Sequence, residues 1–185
     1  MKPSPAVIVT LLLAAAVATA PARAADASAG INATLGTPSS TDRGFIDNAT
    51  TSGATEIEAG RLALLQANSN AVKNFARTMV SDHEKLSRQL QDVLRSQGIT
   101  SPQNGPDVNL IAQLKQLKGS EFDKAYIQQA ALQAHKDAVA LFAIESQNGQ
   151  NEALRQLARQ ALPTIQHHLE MAKKLPGANK MNLAQ

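Results

Sequence analysis

Four stretches of the chain carry apolar residues at steps of three and four, each bounded by helix-stopping residues, and this periodicity restricts the fold to packed helices. The first follows Ser40-Thr41, a capping pair, and sets Phe45, Ala49, Ile57, Ala63, Leu64 and Ala67 at helical spacing up to the break at Asn68-Ser69-Asn70. Its small residues favour close approach of a neighbouring helix. The second runs from Ala71 to Gln97 through Val72, Phe75, Ala76, Met79, Val80, Leu86, Leu90 and Val93, and stops at Gly98. A connection this short makes the two helices antiparallel neighbours. In the third, Ser120 and Asp123 have the spacing of a capping box, and the pattern continues through Tyr126, Leu132, Val139 and Phe142 to Gln147, with Gly149 beyond. Asn151 caps the fourth, which passes Leu154, Leu157, Ala161, Ile165, Leu169 and Ala172 and closes at Pro176-Gly177. Residues 100–119 form a crossover broken by Pro102 and Pro106, in which Asp107 caps a short helix carrying Ile111, Leu114 and Leu117. The expected fold is all-α: an antiparallel four-helix bundle over residues 41–175, with a long crossover between its second and third helices and a loose tail over 176–185.

Ahead of the bundle stand the parts of a cleavable secretory signal: Lys2, an apolar run from Ala6 to Ala18, and the small-residue triplet Ala22-Arg23-Ala24. The expected cut follows Ala24, although Ala18-Thr19-Ala20 offers a second triplet. Residues 25–40 are small and polar, with Gly30, Gly36 and Pro38, and form a flexible leader. The mature protein is thus expected outside the cytoplasm, periplasmic in a Gram-negative host or secreted, with no later stretch apolar enough to span a bilayer. Loss of residues 1–24 removes Lys2 and Arg23 but no acid, leaving sixteen basic against fifteen acidic residues. That near-neutral balance, with Tyr126 and four phenylalanines as the aromatic residues, argues against nucleic acid as a partner. Without cysteine the chain carries neither a disulfide nor a lipidated thiol.

Each long helix also places a polar residue in phase with its apolar stripe. Glu56 is in phase with Phe45 and Ala63; His83 follows Phe75 and Met79 at steps of four and precedes Leu86 by three. His135 lies three after Leu132 and four before Val139, and His168 three after Ile165 and four before Ala172, whereas His167 points about 100° away. In an up-down-up-down bundle the first and third helices end where the second and fourth begin, and heights can be counted from that end. Glu56 is 11 residues before Ala67, His83 13 after Asn70, and His135 12 before Gln147, while His168 is 17 after Asn151. At about 1.5 Å per residue three heights agree within about 3 Å and the fourth is off by about 8 Å. Pro163 adds a second consideration, since a kink there would aim the turn containing His168 at the bundle centre.

Three imidazoles and a carboxylate are ligands suited to zinc, copper, nickel or iron. The same four residues, with Tyr126, also satisfy burial as a hydrogen-bonded network without metal. A carboxylate-bridged di-iron centre requires Glu-x-x-His pairs, which the chain lacks, and Glu58 is about 200° from Glu56. There is no Gly-x-Ser-x-Gly elbow and no phosphate-cradling glycine pattern, so no catalytic residue is assigned. Asp82, Glu84, Asp123 and Asp137 read as solvated or helix-end charges.

Several blocks together resemble a family of bacterial exported proteins grouped as a domain of unknown function, often labelled outer-membrane or secreted proteins and assigned a ferritin-like fold. They are Phe45, the run from Glu56 to Ala63, the run from Phe75 to His83, the run from Gly119 to Tyr126, His135, and the run from Leu162 to Leu169, so that the resemblance covers about Gly44 to Leu175. It implies a ferritin-like bundle and export, and no settled activity. Glu56, His83, His135 and His168 all fall on its motif positions. Likeness of fold to ferritins is no argument for iron storage here, because the di-iron ligand set is absent.

Three functions are open at this stage. The first is a metal-binding bundle of the cell envelope, serving metal handling or stress protection, with Glu56, His83, His135 and His168 as ligands. The second is an interaction or structural module that packs an envelope partner or itself, the polar cluster serving only to set helix register. The third is an enzyme, hydrolytic or other, using a histidine as general base, which needs a cleft reaching the cluster.

Overall fold

A computed structural model describes residues 37–178; the signal segment, most of the leader and the last seven residues lie outside the described residues. Helix α1 (Ser40–Gln66) joins α2 (Asn70–Ser96) through three residues, and the crossover carries α3 (Val108–Gln116). A single helical rod over residues 119–148 follows, made of α4 (Gly119–Ala125), a π-helical segment (Tyr126–Gln133) and α5 (Ala134–Asn148). After the turn at Gly149, α6 (Glu152–Lys173) completes the bundle and runs unbroken through Pro163. Around the bundle α1 neighbours α2 and α5, and α6 neighbours the same two, so α1 lies diagonal to α6 and α2 to α5.

The cap side chains fix the direction of each rod. Ser39, not Ser40-Thr41, caps α1, its hydroxyl accepting from the Asp42 N–H while the Asp42 carboxylate accepts from the Ser39 N–H. The other Asp42 oxygen accepts from the Gln150 and Asn151 N–H groups, which ties the start of α1 to the α5–α6 turn. The Asn151 amide donates to Gln97 and draws in the end of α2. At the opposite end a bridge joins Ala67 to Gly119. Asp123 caps across the structure: its carboxylate accepts from the Asn68 and Ser69 N–H groups at the entrance to α2, and the expected Ser120–Asp123 capping box does not form, Lys118 being the residue ahead of α4.

These ties correct the topology behind the height count. The third rod starts at the Ala67 end and finishes at the Ser39 end, so it runs antiparallel to α1 and the order is up-down-down-up. The crossover is long because it must return the full length of the bundle. Thr55, part-way along α1, accepts the Asp107 N–H and fastens the start of α3 to that helix. Beyond α6 the Pro176-Gly177 turn brings Ala178 back into the core, fully buried beside Leu175; the rest of the expected tail lies outside the described residues.

Packing divides the core in two. One apolar cluster gathers Ala59 to Ala67, Val72 to Met79, Phe122 to Leu132 and Ala172 to Ala178; the other gathers Phe45, Ile46, Leu90, Leu94, Phe142, Leu154 and Ile165, with the Phe45 and Phe142 rings edge to face at 4.9 Å. Glu56, His83, His135 and His168 fall between the two on their respective helices.

Close approach of α1 and α2 depends on Gly60. A Cβ built there would lie 2.7 Å from a Val80 methyl and 3.3 Å from the Ala76 carbonyl. Val80 is β-branched and has little freedom to yield. Gly60→Val is accordingly expected to lower the unfolding free energy by about 2 kcal/mol in a denaturant titration, despite the better helix propensity of valine.

Candidate metal centre

The geometry of the site begins with the π segment. Tyr126 and His135 are nine residues apart, which at 100° per residue would set them on opposite faces of an α-helix. Here the turns are wider, the Ala134 N–H reaching five residues back to Gln129, and both side chains enter the core, each packed edge-on to Phe75. At the end of that segment the His135 ring Nδ1 lies 2.9 Å from the Ala131 carbonyl. A carbonyl only accepts, so Nδ1 carries the proton and Nε2 presents a bare lone pair. His168 is oriented from the other side of the bundle: its Nε2 donates to the Asp82 carboxylate at 2.9 Å, which leaves Nδ1 bare.

His83 completes the group. One ring nitrogen of each of His83, His135 and His168 lies within 4.8 Å of those of the other two, and the ring centroids are 5.5 to 5.7 Å apart. His83 Nε2, His135 Nε2 and His168 Nδ1 are all buried without a hydrogen-bond partner in the protein. An orphaned buried acceptor costs about 1 to 3 kcal/mol. His135 Nε2 and His168 Nδ1 are two such acceptors, and a neutral His83, even with its proton on Nε2, could serve only one of them.

Protonation would not relieve it either. Burial, then the charges of His135 and His168, hold the His83 imidazole at a pKa of about 3, and burial holds His135 at about 4 against the help of its carbonyl contacts. His168 is lowered by burial, opposed by Asp82. At neutral pH all three rings are neutral, the form that ligates a metal.

Glu56 takes a different place from the histidines. It is buried, and its Oε1 is 3.4 Å from His135 Nδ1, the ring atom turned away from the cluster. It therefore stands behind His135, with its Oε2 unpartnered, and burial drives its pKa well above the ordinary carboxylate value. Of the four residues in phase, three converge and the fourth supports one of them. Asp82, assigned to the solvated charges from sequence alone, supports another. Such outer contacts orient metal-ligating imidazoles and fix their tautomers.

Nearly the whole of this bundle, residues 24–175, matches the family model described as "Domain of unknown function (DUF4142)". The chain belongs to the DUF4142 family. No curated protein matches it. Among solved structures this DUF4142 chain is similar to a DUF305 fragment from Deinococcus radiodurans, at 14% identity and a TM-score of 0.64 over 74% of this chain and 95% of that one. It is likewise similar to a DUF305 protein from Streptomyces coelicolor described as secreted, at 13% identity and a TM-score of 0.63 over 73% of this chain and 89% of that one. At these identities the likeness is one of fold, and it agrees with the helical bundle of the DUF4142 chain. Among its described residues no helix is long and apolar enough to cross a membrane.

Proposed function

We propose that this chain is an exported protein of the cell envelope that holds one divalent transition-metal ion at His83, His135 and His168, in a metal-handling or stress-protection role. The observation that carries the proposal is the convergence of three buried, unpartnered ring nitrogens, two of them locked inward by Ala131 and Asp82. A cation at their centre would satisfy all three acceptors at once. Zinc, copper, nickel and ferrous iron all accept such an imidazole set. Export is supported by the signal-like start of the sequence and by the secreted description of a structural neighbour.

Elemental analysis tests this on the mature protein, purified from the periplasm without chelator or affinity tag. Near-stoichiometric metal is expected in the wild type, with loss in folded His83→Ala and His135→Ala variants. A metal-free wild type that also resists loading with all four ions would overturn the proposal and leave an interaction module as the better account. Among the described residues the exposed large apolar side chains are Leu65, Val108 and Ile144, one on each of three different elements, and no single helix presents a row of them.

The outer contacts yield a graded prediction. Asp82→Asn keeps the size of the side chain but weakens the hold on His168. It is expected to reduce metal affinity by about 10- to 100-fold with little change in fold, as measured by competition against a chromophoric chelator.

A further inference from the structure

A cleft of about 330 Å³ opens between α2 and α6, and His83 and His168 are among the residues that line it. Lys85, Gln89, Gln160 and Thr164 are exposed side chains of its walls, Ala161 and Leu86 are half-buried, and Asp82 is held at its edge by His168. Two of the three converging imidazoles thus border the cleft, with their inward nitrogens buried behind its wall, whereas His135 is fully buried and does not line it.

Charge determines what such a cleft would admit. A divalent ion held by three neutral imidazoles keeps its full double charge, inside a core where an uncompensated charge is costly. The carboxyl groups of Glu56 and Asp82 do not cancel it by ligation. Glu56 meets the far side of the His135 ring, and Asp82 meets the far nitrogen of His168. Three protein ligands also leave a coordination position unfilled, the arrangement of sites that exchange ligands rather than of sealed structural ones. Lys85 adds a cation whose carboxylate neighbours on α2 are otherwise engaged, Asp82 with His168 and Glu84 with Arg61.

We infer that the cleft between α2 and α6 is a port through which a small anion reaches an open coordination position on a metal held by His83, His135 and His168. The inference rests on the metal site proposed above. It goes further in assigning the ligand class, an anion of a few atoms such as an inorganic anion or a short carboxylate, and the route of entry. The restriction to few atoms comes from the ring nitrogens, which are buried, so that a ligand must pass the side chains covering them.

Copper(II)-loaded mature protein titrated with azide tests it. Saturable growth of an azide-to-copper charge-transfer band, with a shift of the copper d–d band, is the expected result. Ala161→Phe, which fills the cleft from α6 and leaves the three ligand residues in place, should abolish the azide response or slow it severely while copper stoichiometry stays unchanged. Lys85→Glu should raise the azide concentration at half-saturation by about threefold at low ionic strength, the modest size reflecting an exposed, screened charge. Copper bound at one equivalent with a spectrum indifferent to azide would overturn the port and leave the metal site standing. An azide response undiminished in Ala161→Phe would overturn the route. Failure of the protein to take up copper, or any of the other three ions, would remove the metal proposal itself and this inference with it.

Discussion

His135→Ala is expected to lower the affinity for a divalent metal by about a thousandfold or more, while Glu56→Gln lowers it by only about tenfold. Loss of an outer contact costs 10- to 100-fold in comparable sites, and loss of a ligand must cost more. The two variants separate the two roles that phase alone could not. In the sequence Glu56 has the same claim as the histidines; in the structure its carboxylate meets the protonated Nδ1 of His135 at 3.4 Å and stays outside the group of converging nitrogens. Equal losses in the two variants, measured by chelator competition on proteins with wild-type circular dichroism, would make Glu56 a ligand. His135→Ala also deletes the contact with Ala131 at the end of the π segment, so the metal-free variant must be shown to fold before its affinity is interpreted.

Glu145→Gln is expected to stabilise the metal-free protein by about 3 kcal/mol at pH 8 and by less than about 1 kcal/mol at pH 5. Glu145 is fully buried at the Ser39 end of the bundle, with neither carboxylate oxygen partnered. Burial, then the negative charge of Asp42, raise its pKa to about 7, with Arg155 opposing. Asp42 goes the other way. Burial would raise it too, but the hydrogen bonds from Ser39, Asn151 and Gln150 outweigh burial and hold it below the usual carboxylate value. Below about pH 7 the pair therefore keeps one proton, on Glu145. A raised carboxyl pKa favours the folded state only while the group is protonated. Its contribution is complete below about pH 4.5, the ordinary glutamate value, and is lost as pH rises through about 7. Glutamine removes that loss, so the gain appears on the alkaline side. The histidines work in the opposite direction: with His83 held at about 3 and His135 at about 4, the unfolded chain binds more protons below about pH 6.5, and stability falls with acidification whatever occupies position 145. A stabilisation by Glu145→Gln that is as large at pH 5 as at pH 8 would show that its carboxyl does not titrate in this range.

Much of this was legible from periodicity. The bounds of α1, α2 and α6, the Asp107 cap of α3 and the Asn151 cap of α6 follow from the sequence, because each depends on residues within a few positions of one another. Phase also found the four buried polar residues of the centre, a burial requirement that any helix expresses locally. What escaped depends on contacts distant in the chain. The direction of the third rod is set by Ala67 with Gly119 and by Asp42 with Gln150 and Asn151, and no local pattern reports those pairings. The height count assumed the opposite direction. Asp123 looked like a local box and instead caps α2 more than fifty residues away.

The π segment was invisible to a fixed count of 100° per residue, although a clue was present: Tyr126 and His135 cannot share an α-helical face, and both have reason to be inside. Asp82 is adjacent to His83 and therefore off its face; only the position of α6 makes it a partner for His168. Glu145 could have been found. It lies three residues after Phe142 and seven after Ala138, and so satisfies the phase test that selected His135.

X-ray absorption spectroscopy of the stoichiometrically loaded mature protein tests the three-histidine centre most directly, since imidazole rings leave a multiple-scattering signature that carboxylates and water do not. Three imidazole ligands at about 2.0 to 2.1 Å from a zinc ion, with no such shell recovered from folded His83→Ala, is the predicted result. A first shell made mainly of oxygen, or a shell unchanged by His83→Ala, would place any bound metal elsewhere and contradict the account.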